Sequence, residues 1–172
     1  MSKWEKIKRL SFWELRQLGK AVFMLPMTAL GLRLMGFNFV QSALSLGLPA
    51  PVYSTDARSM VKAQQIAKMV RVAAVYGLFG ATCLPQSMVL WRFLQGQGIE
   101  CHLRLGARSE NGNLEAHAWV EVDGVALNEA ADVGERFRPL EPEGESRGPR
   151  LNPHQYDLPH LRRKLRSSSA KN

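Results

Sequence analysis

Cysteine is scarce in this chain of 172 residues, because only Cys83 and Cys101 occur. Two cysteines are too few for the disulfide frameworks that hold small secreted domains together. Neither lies in a CxxC pair, and the sequence contains no HxxxH pair, so the ligand spacing typical of structural metal sites is absent. We therefore expect no metal, and the question becomes whether either cysteine is chemically active.

Long apolar runs are missing as well. Residues 21–32 carry no charge, but Arg33 ends this run, and the next uncharged run, 34–55, is interrupted by polar residues and by Pro49 and Pro51. A membrane-spanning helix needs roughly 20 mostly apolar residues, and an apolar stretch that begins only after residue 20 is too late for a signal peptide. We therefore expect a cytoplasmic protein. Peripheral membrane contact is the less favoured alternative.

Acidic residues are few, since 15 Asp and Glu face 23 Lys and Arg and leave a net charge of +8. Such a balance predicts an anionic partner. Nucleic acid is not expected, because no nucleic-acid-binding motif occurs and the aromatic residues are not interleaved with the basic runs.

Residues 74–91 carry no charge at all, so we expect them in the core. The length indicates one domain.

The composition divides the chain into three parts. Residues 1–54 form a basic and apolar helical lead-in, residues 55–140 hold the core, and residues 141–172 form a Pro-rich basic tail typical of a loosely held segment. In the core, the spacing of apolar residues predicts helices from near Asp56 and over 83–95. Strands follow at 99–107, 116–122 and 125–130, the last two forming a hairpin. Ser54 or Thr55 would cap the first of these helices. The pattern indicates an α+β fold.

Cys83 occupies a position suited to a nucleophile, at the predicted start of a helix. The unpaired N–H groups there favour a thiolate and can bind an oxyanion. A buried, inert thiol is the common alternative. His117 favours a catalytic role for Cys83 over an inert one. It lies 34 residues further on, at the predicted start of a strand, where it could serve as a general base. Cys101 and Trp119 are expected to be core residues, and Asp123 a turn residue.

The register of the hairpin decides which residue orients His117. A two-residue turn of Asp123 and Gly124 would place Asn128 on the same side of the sheet as His117. A three-residue loop ending in a left-handed Gly124 would instead set Glu129 directly opposite His117. Either side chain could hold the imidazole, and one residue of register separates the two alternatives.

Three sequence blocks resemble a known family: T-C-L-P-Q-S at 82–87, Q-G-Q-G-I at 95–99 and A-H-A-W-V-E-V-D-G at 116–124. They are similar to blocks of the lasso-peptide biosynthesis B proteins, members of the transglutaminase-like cysteine protease superfamily. The resemblance covers about residues 56–140. It implies a papain-type α+β core in which the catalytic cysteine begins a helix that packs on a small antiparallel sheet.

The resemblance also implies an activity and its residues. Cys83 would be the nucleophile and His117 the base. The family's third residue is an Asp and falls on Glu129, which agrees with the three-residue loop. Such an enzyme removes the leader from a lasso-peptide precursor before macrolactam cyclisation and needs no metal or organic cofactor.

The resemblance further implies partners for the enzyme: the precursor leader peptide, a separate leader-recognition protein and the ATP-dependent cyclase. Too few residues precede residue 56 for a recognition domain, so the chain resembles the peptidase of a split system. The alternative from another class is a non-catalytic basic module with a peptidase-like core, which would dock a partner or a membrane surface.

Overall fold

The computed structural model of this protein describes residues 11–48, 57–77, 82–110 and 113–140. Four longer helices precede an antiparallel sheet, and a single helical turn lies before the last strand. The helices are α1 (Phe12–Leu34), α2 (Phe37–Ser45), α3 (Ala57–Tyr76), α4 (Cys83–Gln95) and α5 (Val133–Arg136). The strands are β1 (His102–Glu110), β2 (Asn113–Val122), β3 (Val125–Ala126) and β4 (Arg138–Pro139). The predicted α+β class is confirmed.

Helix α1 begins at a capping box. The backbone N–H of Ser11 donates to Glu14 Oε2 at 2.8 Å, and the backbone N–H of Glu14 donates to Ser11 Oγ at 3.3 Å. The two side chains thereby satisfy N–H groups that have no partner inside the helix. The hydrogen bond from the Ser11 backbone is the main reason that the pKa of Glu14 lies below its usual value.

One face of α1 enters the core and the other is exposed. Ala21 and Leu25 are buried against α3 and α4, whereas Phe12, Phe23 and Leu34 are each at least 70% exposed on the outer face. The lead-in helix therefore shares a core with the residues that follow it. Among the residues described, no helix has the length and apolar character needed to cross a membrane.

Helices α3 and α4 provide most of the helical core. The apolar spacing that predicts α3 comprises Met60, Ala63, Ala67, Val70 and Ala74; the last four are buried and Met60 is partly buried. Its proposed caps, Ser54 and Thr55, lie outside the described residues, as does the predicted tail 141–172. Helix α4 spans the predicted residues 83–95 and is buried along most of its length, in keeping with the absence of charge in residues 74–91.

The four strands form one antiparallel sheet in the order β3-β2-β1-β4. In this sheet β1 starts at His102, three residues later than the pattern predicted, and it pairs with β2 so that Gly106 lies opposite His117. Helix α4 packs against β2. The helix that carries Cys83 and the strand that carries His117 therefore share one interface.

The prediction of a three-residue hairpin loop is wrong. Val122 pairs with Val125, so Asp123 and Gly124 alone form the turn. Both have positive φ angles, 51° and 74°. This is the backbone of a type I′ turn, whose twist matches that of the two strands better than the twist of a type I or II turn does. Strand β3 is also shorter than predicted, since it ends at Ala126.

Candidate active site

Cys83 is the first residue of α4 and is partly exposed. Thr82 occupies the N-cap position with an extended backbone, but its side chain makes no capping hydrogen bond. The N–H groups of the first turn are therefore not satisfied by the cap side chain. Such groups, together with the positive end of the helix dipole, stabilise an anion at this position. The local geometry suits a reactive thiolate and an oxyanion beside it.

His117 on β2 is held by Glu129. The distance from His117 Nε2 to Glu129 Oε1 is 3.0 Å, and the two side chains are 17% and 31% exposed. With its Nε2–H directed at the carboxylate, a neutral imidazole has its lone pair on Nδ1, where it can accept a proton. Glu129 can also stabilise the imidazolium that would then form. The structure thus brings together two of the three residues expected to act together.

Glu129 reaches His117 by a route that the hairpin register did not predict. The backbone N–H of Leu127 still donates to the carbonyl oxygen of Val120 at 3.0 Å. The chain leaves the ladder only after Leu127, where bonding to β2 passes to the Asn128 side chain. Its Oδ1 accepts the backbone N–H of Val120 at 2.8 Å. Since the side-chain alternation of a strand no longer applies beyond this point, Glu129 can turn towards His117 from an irregular segment.

Asn128 does not contact His117 in any hydrogen bond of the described structure. Its Nδ2 donates instead to Ser87 Oγ at 2.9 Å, and that hydroxyl donates to the backbone carbonyl of Ala118 at 2.9 Å. Ser87 lies one turn after Cys83 on the same face of α4. The Cys83 face of α4 is therefore joined directly to the strand residue that follows His117.

Two aromatic rings enclose the imidazole. The Phe137 ring is stacked on that of His117 with centroids 4.9 Å apart, and the Trp119 ring lies 6.4 Å away. Trp119 was expected in the core, and it is 1% exposed while its Nε1–H donates to Glu121 Oε1 at 2.7 Å. Phe137 and Trp119 shield one side of the His117–Glu129 pair from water, which strengthens the electrostatic interaction between them.

Arg136 lies on the far side of Glu129. Its Nη2 is 3.9 Å from Glu129 Oε2, and its Nε is 3.3 Å from Asp132 Oδ2. Glu129 therefore has an imidazole near one oxygen and a guanidinium near the other.

A cleft borders the other side of the α4 N-terminus. It has a volume of about 690 Å³ and lies between α1 and the first turn of α4. Its walls are mostly apolar, and among the described residues that line it only Arg33 is charged; the others include Leu25, Leu30, Thr82, Leu84 and Pro85. An extended peptide that reached Cys83 would find an apolar surface beside it.

Cys101 is a core thiol, as expected. It is fully buried, and the loss of solvation raises the pKa of its thiol to about 12. Its Sγ lies 3.8 Å from the carbonyl oxygen of Trp91 and 3.9 Å from Gln95 Nε2. Within the described ranges, no cluster of three or more His, Cys, Asp or Glu side chains could hold a metal ion.

Several site residues were missed at the level of sequence. Phe137 and Arg136 follow a segment that reads as irregular, so no periodicity assigned them to a surface. Ser87 carried one usable signal, because it lies four residues after Cys83 on a predicted helix and must share its face. The sequence indicates its partner Asn128 only as one of two residues that could orient His117.

Comparisons with known proteins agree with this architecture. The sequence profile of the transglutaminase-like superfamily matches residues 24–141. The chain is 34% identical over 60 residues to the microcin J25-processing protein McjB of Escherichia coli, which amounts to 35% of this chain and 28% of that protein. The chain thus matches less than a third of that relative, and no solved structure matches it. The partial match supports the resemblance to lasso-peptide biosynthesis B proteins, and because the profile covers more than half of its length, the chain belongs to the transglutaminase-like superfamily.

Proposed function

We propose that this protein is a cysteine peptidase that removes the leader from a lasso-peptide precursor before the macrolactam ring is closed. The observation that carries the proposal is the pairing of His117 Nε2 with Glu129 Oε1 at 3.0 Å, on a strand against which the Cys83 helix packs. A cysteine at a helix start, a histidine and a carboxylate that orients it are the elements of a thiol peptidase. The partial likeness to McjB, a processing protein of microcin J25, points to the same substrate class.

The proposed reaction has two stages. The thiolate of Cys83 attacks the carbonyl carbon at the leader–core junction, and backbone N–H groups at the start of α4 bind the oxyanion. His117, protonated on Nδ1, gives that proton to the departing amine as the C–N bond breaks, which leaves a thioester on Cys83. His117 then takes a proton from water, the hydroxide forms a bond to the thioester carbon, and the C–S bond breaks to release the leader.

Glu129 has an orienting role in this scheme. It holds the imidazole with Nε2–H towards the carboxylate and stabilises the imidazolium between the two proton transfers. Compared with the Asp of the family, Glu is one methylene longer. The irregular segment after β3 provides the extra freedom that this longer side chain needs.

The partners proposed for this peptidase are those that the resemblance implies. The precursor would bring its leader, a separate recognition protein would deliver it, and the ATP-dependent cyclase would consume the released core peptide. The outer face of α1 and the apolar cleft beside Cys83 offer surfaces for these contacts.

The test is incubation with candidate precursor peptides, with and without the recognition protein, followed by mass spectrometry. We expect one cut at the leader–core junction, and we expect Cys83→Ala to abolish it. Cys101→Ala is the matched control, because that thiol is fully buried and should leave cleavage intact. Undiminished cleavage by the Cys83→Ala variant would show that Cys83 is not the nucleophile. A folded wild-type protein that binds the precursor but never cuts it would favour the non-catalytic binding module.

A further inference from the structure

Three hydrogen bonds, here named the Ser87–Asn128 bridge, join α4 to the sheet behind the candidate active site. The hydroxyl of Ser87 donates to the carbonyl oxygen of Ala118 at 2.9 Å. Asn128 Nδ2 donates to Ser87 Oγ at 2.9 Å, and Asn128 Oδ1 accepts the backbone N–H of Val120 at 2.8 Å. Two side chains therefore connect a helix, a strand and the irregular segment after β3.

Each part of the bridge lies beside one residue of the proposed triad. Ser87 follows Cys83 by one helical turn, Ala118 follows His117 directly, and Asn128 directly precedes Glu129. The three segments that must meet for catalysis are thus bonded to one another one residue, or one turn, away from the reacting groups.

Ser87 in the bridge is buried and Asn128 is partly buried, and both side chains are hydrogen-bonded. Ser87 is 0% exposed, and its hydroxyl both donates and accepts. Within the described part of the chain, no buried side-chain nitrogen or oxygen lacks a hydrogen-bond partner. A buried hydroxyl is costly unless it is bonded in this way, and a partly buried amide shares that cost in part. An apolar pair would fill the same space without the cost of burying polar atoms, so the polar pair must contribute something other than packing.

We propose that Ser87 and Asn128 are positioning residues that fix the placement of Cys83 relative to His117 and Glu129. This inference rests on the proposed function, which assigns the triad. Apolar contacts between α4 and β2 are non-directional and allow the helix to slide, whereas hydrogen bonds tolerate only small changes in distance and angle. Catalysis is sensitive to displacements of that size, because a shift of about 1 Å can reduce a rate by about 100-fold.

The first test measures steady-state cleavage by Ser87→Ala and Asn128→Ala. We expect kcat to fall by about 10- to 100-fold while KM stays within about threefold, because the bridge acts on the reacting groups and not on the substrate surface. The kcat of the double variant should be no lower than that of the less active single variant, because either substitution alone already breaks the bridge. Losses that multiply in the double variant would contradict a shared role.

A matched control separates positioning from stability. Thr28 in α1 is also a buried hydroxyl residue, 4% exposed, but it lies in a helix that holds no triad residue. Thr28→Val should lower the melting temperature and leave kcat unchanged. If this variant lost as much kcat as Ser87→Ala at equal loss of stability, the effect would be general and the inference would be overturned.

A second readout needs no peptide substrate and keeps the two proposals distinguishable. Iodoacetamide alkylation of Cys83 over time, followed by mass spectrometry, gives a reactivity profile that depends on how the thiol is placed relative to the imidazole. At one fixed pH, we expect Ser87→Ala to react about tenfold more slowly than the wild type, because the thiol is no longer held beside its base. Failure of the wild type to cut any precursor would count against the proposed function alone. An unchanged alkylation profile in a folded Ser87→Ala variant would overturn the positioning role proposed for the bridge.

Discussion

Gly106 lies directly opposite His117 on the neighbouring strand, and the space left by its missing side chain is filled by the side chains of Phe137 and Trp119, whose rings enclose the imidazole. A Cβ placed on Gly106 would come within 2.9 Å of Phe137 Cβ and of two ring carbons of Trp119. Both aromatic residues are nearly fully buried. The glycine is therefore required for close packing at this position and not for an unusual backbone conformation.

We predict that Gly106→Ala destabilises the fold and weakens activity together. Overpacking of this kind costs about 1–3 kcal/mol, and here the displaced rings contact His117. Chemical denaturation should show the loss, and the cleavage rate should fall with it. Gly19→Ala is the control, because Gly19 in α1 has nothing within 4 Å of an added Cβ and should gain up to about 1 kcal/mol of helix stability. Equal stability of Gly106→Ala and the wild type would contradict the packing argument.

The Glu129 carboxylate gives a graded prediction. Glu129→Ala removes the orienting group and should reduce kcat by about 100-fold, since a general base that is no longer held loses most of its contribution. Glu129→Gln retains an oxygen that can accept the Nε2–H of His117 but cannot neutralise an imidazolium, so its kcat should fall between those of Glu129→Ala and the wild type. Steady-state cleavage assays at fixed pH would establish this order. A Gln variant as inactive as the Ala variant would show that charge, and not orientation, dominates.

Selective alkylation distinguishes the two cysteines. Cys83 is partly exposed at a helix start, whereas Cys101 is fully buried and the pKa of its thiol is raised to about 12. We expect iodoacetamide to add one group per native chain at neutral pH, located by peptide mapping at Cys83. The denatured chain should accept two, because the sequence holds two cysteines. Modification of Cys101 in the native protein at a comparable rate would contradict its burial.

The elements that sequence alone predicted well are those with a strong local signal. Helix α4 was placed at its observed bounds, 83–95, because Thr82, the early Pro85 and the closing Gly96 mark both ends of an uncharged stretch. Cys83 stood out for the same reason, since the helix start gives it a distinct position. His117 was expected at the start of a strand, but β2 begins four residues earlier, at Asn113, so His117 lies within the strand.

The part of the site that depends on non-local contacts was not predictable in the same way. Glu129 was identified correctly as the residue beside His117, but through a hairpin loop that does not form. The contact depends on Asn128 bonding to β2 and to Ser87, residues that are far apart in sequence. The approach of Phe137 to His117 likewise depends on the glycine at position 106, which no local pattern connects to either ring.

Burial of Cys101 also predicts a pH dependence of stability. Burial raises the pKa of this thiol from 9.0 to about 12 in the folded protein. Between those values the unfolded chain ionises the thiol and the folded chain does not, so folding stability should be complete below pH 9 and decline as the pH rises towards 12. At pH 10 this single group should remove on the order of 1 kcal/mol. Urea unfolding of the wild type and of Cys101→Ala at pH 8 and pH 10 isolates the effect, because the other titrating groups are common to both proteins. The variant is expected to start lower, since it leaves a small cavity, but to lose less between the two pH values. Parallel losses in the two proteins would show that the thiol ionises in the folded state as readily as in the unfolded chain.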